Sequence, residues 1–263
     1  MICNCCFTAN WDQIFEFCKP DKYEEYCKID EVNRAWFKCV NCGHYQSESN
    51  YDLSRLMKVY QGYRSEPFRG YPIKEKFKTV MALPNHKREN HSRVNWVNLN
   101  VDFKKSLTVL DVGSGFGVFP HELREMGFDV KCTEINKDSI EFLTKELGFE
   151  CFDGTPGEDL HRKFGLVTMV HVLEHLKFPT LFLDNYKKFL GFDGQIFIEV
   201  PDSIEFRYLP KEHDEFNSCH FHFFTIPSLT TIVERSGFTV KKVERVHHPA
   251  RGLSRIRLLG RRN

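Results

Sequence analysis

The stretch that most constrains this chain is Leu107–Gly117, where an apolar run is followed by a turn with three glycines in five positions. The apolar run has the character of a buried strand, and the next segment, Val118–Met126, has the pattern of a helix. A second apolar run, Phe128–Thr133, ends at the acidic residue Glu134. Glycines let the backbone turn sharply and approach a ligand, and the helix that follows offers unpaired N–H groups. This order predicts the first β-α-β unit of a nucleotide-type α/β domain.

The glycine spacing limits which ligand this turn is expected to bind. Gly113-x-Gly115-x-Gly117, with Asp111 two residues before the first glycine, resembles motif I of class I S-adenosylmethionine (SAM)-dependent methyltransferases more than an NAD-binding fingerprint. Glu134 suits the ribose, because a carboxylate accepts two hydroxyl hydrogen bonds. The alternatives are a glycine-rich turn without a ligand and, more distantly, an NAD oxidoreductase. The cofactor-binding residues that the resemblance implies are Asp111, Gly113, Ser114, Gly115, Gly117, Glu134, Ile135, Gly154, Thr155, His171 and Tyr63.

The rest of the chain continues the α/β alternation. Strands are predicted near residues 107–112, 128–134, 149–153, 165–171, 194–200, 238–246 and 252–259. Helices are predicted near residues 117–127, 137–147, 178–190 and 227–236. Thr225 is the expected start of the last helix and Gly237 its stop. The resemblance implies a Rossmann-like, seven-stranded class I methyltransferase sheet with a final antiparallel pair.

Composition limits the class of partner. The 263 residues carry a net charge of +1, so no overall electrostatic field favours nucleic acid or an acidic membrane. No apolar run reaches about 18 residues and the N-terminus has no signal-peptide pattern, so we expect a soluble cytoplasmic protein. The sequence does not determine the oligomeric state.

Cysteines are concentrated at the N-terminus, where seven of the ten lie in the first 42 residues. Cys3 and Cys6 form one C-x2-C turn, and Cys39 and Cys42 form a second. Two such turns direct four thiolates at one tetrahedral Zn²⁺, which favours a closed structural site over reduced structural cysteines. Cys5 can replace Cys3 or Cys6 in this set, and the weaker substitutes are Cys18, Cys27 and His44.

The segment between the cysteines and the glycine turn has a helical pattern. Helical spacing begins at Tyr51, and Ile73–Asn100 is predicted to form one or two helices interrupted near Pro84. Aromatic residues such as Tyr63 can belong to a lid over the cofactor, or the helices can serve only as a packed connection. The predicted domains are a zinc-binding module (1–50), a helical linker or lid (51–105) and a SAM-binding domain (106–263).

Further motifs resemble the same family. Val167–Leu176 resembles the apolar strand followed by V-L-E-H, and His220–Thr225 resembles a C-terminal signature of the group. The two cysteine turns resemble the zinc-binding domain of sugar C-methyltransferases that act on nucleotide-linked deoxysugars. In those enzymes a Glu-His pair stands where this chain has Cys219-His220, and a further C-terminal domain follows. The missing glutamate favours O- or N-methylation of a sugar, nucleotide-sugar, glycan precursor or related small metabolite, as in polysaccharide biosynthesis.

Three histidines are candidates for the group that deprotonates the acceptor, because neutral imidazole is matched to proton transfer near pH 7. His220 is favoured by the family match, and His222 can face the same way if the segment is extended. His171 is a candidate because it is predicted at the carboxyl end of a strand. The alternatives to a small-molecule enzyme are a zinc-containing RNA or protein methyltransferase and a non-catalytic scaffold with a SAM fold.

The chain end carries five arginines between Arg251 and Arg262. A charged edge strand accounts for this pattern, and a phosphate-bearing substrate is the sharper alternative.

Overall fold

The computed structural model describes residues 1–50, 54, 57, 71–102, 108–157, 163–248 and 252–263. The chain divides into two compact units. The first unit consists of Met1–Tyr60, His171–Asn185 and Glu199–Leu258. The second consists of Gln61–Val170, Tyr186–Ile198 and Leu259–Asn263.

Within the described residues, the strands form two sheets. They are β1 (Trp11–Phe17), β2 (Arg34–Cys39), β3 (Tyr45–Ser49), β4 (Thr108–Val112), β5 (Asp129–Glu134), β6 (Cys151–Asp153), β7 (Phe164–Val170), β8 (Leu190–Pro201), β9 (His222–Phe223), β10 (Phe238–His248) and β11 (Leu253–Arg262). The α-helices are α1 (Lys22–Tyr26), α2 (Ile73–Met81), α3 (Glu89–Asn100), α4 (Val118–Glu125), α5 (Lys137–Glu141), α6 (Pro179–Lys187) and α7 (Ile226–Arg235). None of the described helices is long and apolar enough to span a bilayer.

The larger sheet has seven strands in the order β10-β11-β8-β7-β4-β5-β6, as the methyltransferase resemblance implies. β4 pairs in parallel with β5 on one side and with β7 on the other, and β5 pairs in parallel with β6. The chain therefore reverses its direction across the sheet at β4, which makes the carboxyl end of β4 a topological switch point. Ligands of open α/β sheets bind at such a point.

The apolar run of β4 is explained by its central position. Val109, Leu110 and Val112 are at most 3% exposed. Parallel strands covered on both faces have nearly continuous apolar sequences, unlike the alternating pattern of half-exposed strands. Asp111 is the buried polar exception, at 2% exposure. The core around this strand includes Val97, Phe119, Leu123, Leu166 and Phe197.

The predicted helix boundaries agree with local capping. Thr225 is the N-cap of α7 and forms a capping box with Ser228, and a proline stands in the first turn. Gly237 follows the helix with a φ of +81°, as a C-terminal stop requires. Asn136 caps α5 by accepting a hydrogen bond from the backbone N–H of Ser139 at 2.9 Å. The interruption near Pro84 is present as a 3₁₀ turn between α2 and α3.

The smaller sheet has the order β1-β2-β3-β9 and is antiparallel. Its last strand comes from the C-terminal half of the chain, because His222 and Phe223 pair with Gln46 and Tyr45. Trp36 stacks on Phe223 with ring centroids 4.4 Å apart. These two side chains and Phe206 and Phe216 form a buried aromatic core.

The interpretation of the C-terminal arginines as an edge strand is wrong. β11 lies between β10 and β8, and Arg255 and Arg257 are only 4% and 3% exposed. Arg257 Nε lies 2.6 Å from a carboxylate oxygen of Glu199, and Arg255 lies 3.6 Å from Glu215. The buried carboxylate of Glu199 and the partly buried carboxylate of Glu215 compensate these arginines, which sequence spacing alone cannot show.

Candidate active site

The loop after β4 depends on glycine at three positions. Gly113, Gly115 and Gly117 have φ values of +69°, +55° and +76°, in the left-handed region that side chains disfavour. The backbone N–H groups of Gly113 and Ser114 both donate to the carbonyl of Thr133, at 2.9 and 3.1 Å. The loop is thereby held against the carboxyl end of β5, and its last glycine is the N-cap of α4.

Glu134 lies at this loop and is already hydrogen-bonded to it. One carboxylate oxygen accepts the N–H of Gly115 at 2.7 Å. The other accepts the N–H groups of Ile135 and Asn136 at 2.8 and 3.1 Å. A carboxylate has about four acceptor positions, so these three bonds leave capacity for a ligand hydroxyl. The arrangement fits the role in ribose binding that sequence analysis predicts.

Asp111 supports the same loop from within β4. Its Oδ1 accepts the hydroxyl of Thr168 at 2.6 Å, and its backbone carbonyl accepts the hydroxyl of Ser114 at 3.1 Å. Burial raises the pKa of Asp111 to about 7, although the hydrogen bonds from Thr168 and Ser114 act in the opposite direction. These hydrogen bonds connect the loop to the interior of the sheet.

The predicted adenine loop follows β6. Gly154 donates its backbone N–H to the carbonyl of Glu134 at 2.8 Å and has a φ of +74°. The hydroxyl of Tyr186 bonds to the side chains of Thr155 and Thr133, and burial raises the pKa of Tyr186. This side-chain network joins the predicted adenine loop to β5, and sequence analysis did not include Tyr186 in it.

A second cluster is centred on His171, the residue immediately after β7. Its Nδ1 lies 3.0 Å from an oxygen of Glu174, and its Nε2 lies 3.5 Å from an oxygen of Glu199. Burial alone would lower the pKa of His171, but the hydrogen bonds to Glu174 and Glu199 outweigh it and raise the pKa. His171 has a φ of +54°, which is a strained conformation for a residue with a side chain.

His220 and His175 are adjacent in this cluster, with ring centroids 4.7 Å apart. His220 Nδ1 donates to the backbone carbonyl of Glu215 at 2.7 Å, and His175 Nδ1 donates to the carbonyl of Cys219 at 2.7 Å. Burial, followed by the proximity of His220, lowers the pKa of His175 to about 4.

The carboxyl group of Glu174 stays ionised in this environment. Burial would raise the pKa of Glu174, but the hydrogen bond from His171 and the charges of His171, His175 and His220 lower it to about 2. The cluster therefore contains a carboxylate that is fully buried at neutral pH.

His222 has different partners from His220, although the two are close in sequence. Its Nδ1 lies 3.0 Å from Nε2 of His44, whose other ring nitrogen lies 3.3 Å from the hydroxyl of Ser228. Its Nε2 lies 3.4 Å from the carbonyl of Lys177. Burial lowers the pKa of His222 to about 4, so this 1%-exposed ring is neutral. The alternation that would direct both rings to one site does not occur, because the strand begins only at His222.

The four predicted zinc ligands lie together. All four sulfur atoms lie within 4.8 Å of one another; they belong to Cys3, Cys6, Cys39 and Cys42. The Sγ atoms of Cys3 and Cys42 are 3.6 Å apart, and those of Cys6 and Cys39 are 3.5 Å apart. Thiolates around tetrahedral Zn²⁺ at about 2.3 Å would be about 3.8 Å apart, so the cluster fits this ion.

Two observations refine the cysteine set. Burial opposes ionisation of Cys39, but hydrogen bonds from Thr8 and from the backbone of Cys42 outweigh it and lower the pKa of Cys39 to about 6. The thiol of Cys5 contacts the carbonyl of Ser228 at 3.7 Å and also hydrogen-bonds to the side chain of Cys42. Cys5 therefore lies beside the four-sulfur group without being one of its members.

Two other predictions cannot be compared with the structure. Tyr63 and most of the helical pattern that begins at Tyr51 lie outside the described residues.

Comparison with known families decides the identity of the domain. A family model described as a methyltransferase domain matches residues 84–243, which is more than half of the chain. The chain belongs to this methyltransferase family. No curated protein sequence matches it significantly.

Solved structures share the fold of this methyltransferase at low sequence identity. Magnesium protoporphyrin IX methyltransferase from Synechocystis, with bound S-adenosylhomocysteine (SAH), is 15% identical with a TM-score of 0.58, covering 79% of this chain and 99% of its own. The 1,6-didemethyltoxoflavin-N1-methyltransferase of Burkholderia thailandensis is 16% identical with a TM-score of 0.57, covering 85% and 97%. The N-methyltransferase NodS from Bradyrhizobium japonicum is 13% identical with a TM-score of 0.51, covering 73% and 99%. The protein is a SAM-dependent methyltransferase with a Rossmann-like fold.

Several polar residues of the methyltransferase were not predicted as part of a site. Glu199, Arg257 and Glu215 complete the histidine cluster, but each stands in a stretch whose sequence pattern indicates only a strand or a loop. Glu199 interrupts the apolar run of β8 at 0% exposure, and this interruption was the available signal.

Proposed function

We propose that this methyltransferase transfers the methyl group of SAM to an oxygen or nitrogen atom of a sugar, a nucleotide-linked sugar or a related small metabolite. The resemblance of the cysteine module to that of sugar methyltransferases supports the acceptor class. The names of two structures with the same fold, the protoporphyrin and toxoflavin enzymes, refer to small-molecule acceptors. The net charge of +1 gives no electrostatic preference for RNA.

His220 is the proposed proton acceptor, and its ring geometry carries the proposal. Because Nδ1 donates to the carbonyl of Glu215, the lone pair of the neutral ring is on Nε2. His171 is less suited, since both of its nitrogens face carboxylates that favour its charged form. His222 is less suited because its Nδ1 is already paired with the ring of His44 and its Nε2 faces the carbonyl of Lys177.

The remaining parts of the proposal concern the cofactor and the metal. The cofactor supplies an activated methyl group and its own leaving group, so the protein has to align the acceptor and remove a proton. The proposed SAM contacts are the glycine loop, Glu134 and the loop at Gly154. The proposed zinc ligands Cys3, Cys6, Cys39 and Cys42 would form a closed structural site, without an open position for catalysis.

The proposed division of the chain is a zinc module (1–50), a helical linker (51–105) and a SAM-binding domain (106–263). A site of four reduced thiolates favours a reducing compartment, which supports action in the cytoplasm.

The test is methyl transfer from isotopically labelled SAM to a panel of nucleotide-linked sugars, free sugars, phenols and small amines, with RNA and protein as comparison acceptors. Labelled small-molecule product is expected. His220→Asn should lower kcat by at least about 100-fold, because removal of a general base typically has an effect of this size. His86→Asn is the matched control, since His86 is an exposed histidine in a different segment.

Transfer only to RNA or protein would refute the acceptor class. An unchanged kcat in His220→Asn would refute the assignment of the base. SAH binding by calorimetry is measured on every variant, so that a loss of fold is separated from a loss of chemistry.

A further inference from the structure

Glu174 contains a buried oxygen whose environment requires explanation. Its Oε1 bonds to His171, whereas its Oε2 is buried without a hydrogen-bond partner among the described residues. The side chain is 0% exposed. A carboxyl oxygen buried without a partner is costly, so this atom points to a ligand that would occupy the position next to it.

Two histidines present nitrogen atoms next to this carboxylate. One ligand atom from each of Glu174, His175 and His220 lies within 4.8 Å of the other two. In both rings Nδ1 donates to a backbone carbonyl, of Cys219 and of Glu215 respectively, which places the lone pair of the neutral ring on Nε2. Metal-binding histidines characteristically have this outer hydrogen bond, because it sets the tautomer and the ring orientation.

The backbone around the three side chains is also constrained. The N–H of Phe221 donates to the carbonyl of Glu174 at 2.7 Å, which ties the segment of His220 to the segment of Glu174 and His175. The hydroxyl of Ser47 donates to the carbonyl of His220 at 2.9 Å. Three ligand side chains held from outside in this way have the preorganisation of a binding site.

We propose that Glu174, His175 and His220 bind a divalent transition-metal ion, separate from the site of the four cysteines. Two imidazoles and one carboxylate form a ligand set typical of Zn²⁺ or Fe²⁺, and a related set also suits Mn²⁺. Ligand atoms at about 2.1 Å in a tetrahedral site would be about 3.4 Å apart, so small side-chain rotations are sufficient to close the set.

Three protein ligands leave at least one coordination position open. This part of the inference rests on the proposed function, because it assigns the open position to an acceptor oxygen. A hydroxyl that binds the ion forms an oxygen–metal bond, and its O–H bond breaks with transfer of the proton to water. Because Nε2 of His220 has one lone pair, it cannot both hold the ion and accept a proton. This inference therefore replaces His220 by water as the proton acceptor and leaves the methyl donor and the acceptor class of the proposed function unchanged. An acceptor with neighbouring hydroxyl groups, such as a sugar diol, fits an ion with open positions.

The test is to load the purified full chain with Co²⁺ and to count bound metal by elemental analysis. Wild type should bind two equivalents per chain, with thiolate charge-transfer bands from the cysteine site and weaker d–d bands from the nitrogen and oxygen site. Glu174→Gln and His175→Asn should each bind one equivalent and keep the thiolate bands. Cys39→Ser should lose the thiolate bands and keep the other equivalent, and His86→Asn should bind two.

A measurement on the unsubstituted chain keeps the test independent of variants that fail to fold. Metal-edge X-ray absorption of wild type should show nitrogen and oxygen scatterers in addition to sulfur. One equivalent with sulfur scatterers alone would overturn the proposal, as would two equivalents in the Glu174 and His175 variants. Competition among Zn²⁺, Fe²⁺ and Mn²⁺ for the Co²⁺-loaded site then identifies the preferred ion.

Activity separates this inference from the proposed function. Methyl transfer to a small molecule by protein that holds only the cysteine-bound metal would overturn the assignment of the open position to the acceptor oxygen and leave the proposed function intact. Two bound equivalents without transfer to any small molecule would overturn the proposed function and leave the metal site intact.

Discussion

The glycine loop after β4 and the histidine cluster around Glu174 are organised in different ways. The loop is built mainly from backbone, with three glycines at positive φ and N–H groups that donate to Thr133 and Glu134. The cluster is built from buried and half-buried ionisable side chains, and its members are spread from residue 171 to residue 257. A backbone site depends on which residues are small, whereas a charged cluster depends on whether every charge has a partner.

The largest expected effect tests the dependence of the cluster on paired charges. Glu199→Gln should lower the free energy of unfolding by about 3 kcal/mol, because it leaves the guanidinium of Arg257 buried without its carboxylate. Denaturant unfolding measures this change. Glu141→Gln, which removes an exposed carboxylate paired with Lys145, is the control and should leave stability unchanged. Equal effects of the two substitutions would mean that the cluster is not held by its buried charges.

The second prediction tests whether the loop needs glycine. Gly115→Arg should weaken SAH binding by at least about 100-fold, or about 2.7 kcal/mol, because a large side chain at a φ of +55° displaces the backbone that would approach the cofactor. Gly127→Arg is the matched control, since Gly127 also has a positive φ but open space around it. Calorimetric titration decides the result, and retained affinity in Gly115→Arg would show that the cofactor binds elsewhere.

A third, smaller effect concerns Asp111, an ionisable group buried beneath the loop. The pKa of Asp111 is raised to about 7 in the folded protein, so the folded state keeps a proton that the unfolded state has released above about pH 4. Stability from this group is therefore lost as the pH rises from about 4 to about 7. The substitution Asp111→Asn removes this loss. Relative to wild type, the variant should gain about 2–3 kcal/mol of stability between pH 5 and pH 8.

Unfolding curves at the two pH values measure this difference. Asp129→Asn, at an exposed position in β5, is the control and should show no such pH dependence. If the stability difference between Asp111→Asn and wild type did not vary between these pH values, Asp111 would be ionised over the whole range. It would then resemble the buried carboxylate of the histidine cluster.

The comparison of the glycine loop with the histidine cluster also explains which parts of the structure could be predicted from the sequence. The positions of β4, α4 and β5 agree with the periodicity of Thr108–Glu134, because a buried parallel strand, a glycine turn and an amphipathic helix are encoded over short stretches of chain. The two C-x2-C turns are local in the same sense, and their convergence follows from the pairing of β1 with β2, in which Trp11 stands opposite Cys39.

The tertiary structure alone decided the partners of the buried charges. Sequence analysis assigned the C-terminal arginines to an exposed edge, but Arg257 lies beside Glu199, 58 residues away in the chain. It placed His220 and His222 together, but only His220 lies against His175, while His222 lies against His44.

By itself, the sequence determined the order of helices and strands, the glycine loop and the two C-x2-C turns, since each depends on residues close together in the chain. Only the tertiary structure decided which buried charges are compensated and that Glu174, His175 and His220 face one another. The physical reason is that pairing energy depends on distance in space, and strand order brings together residues whose separation in sequence carries no periodic signal.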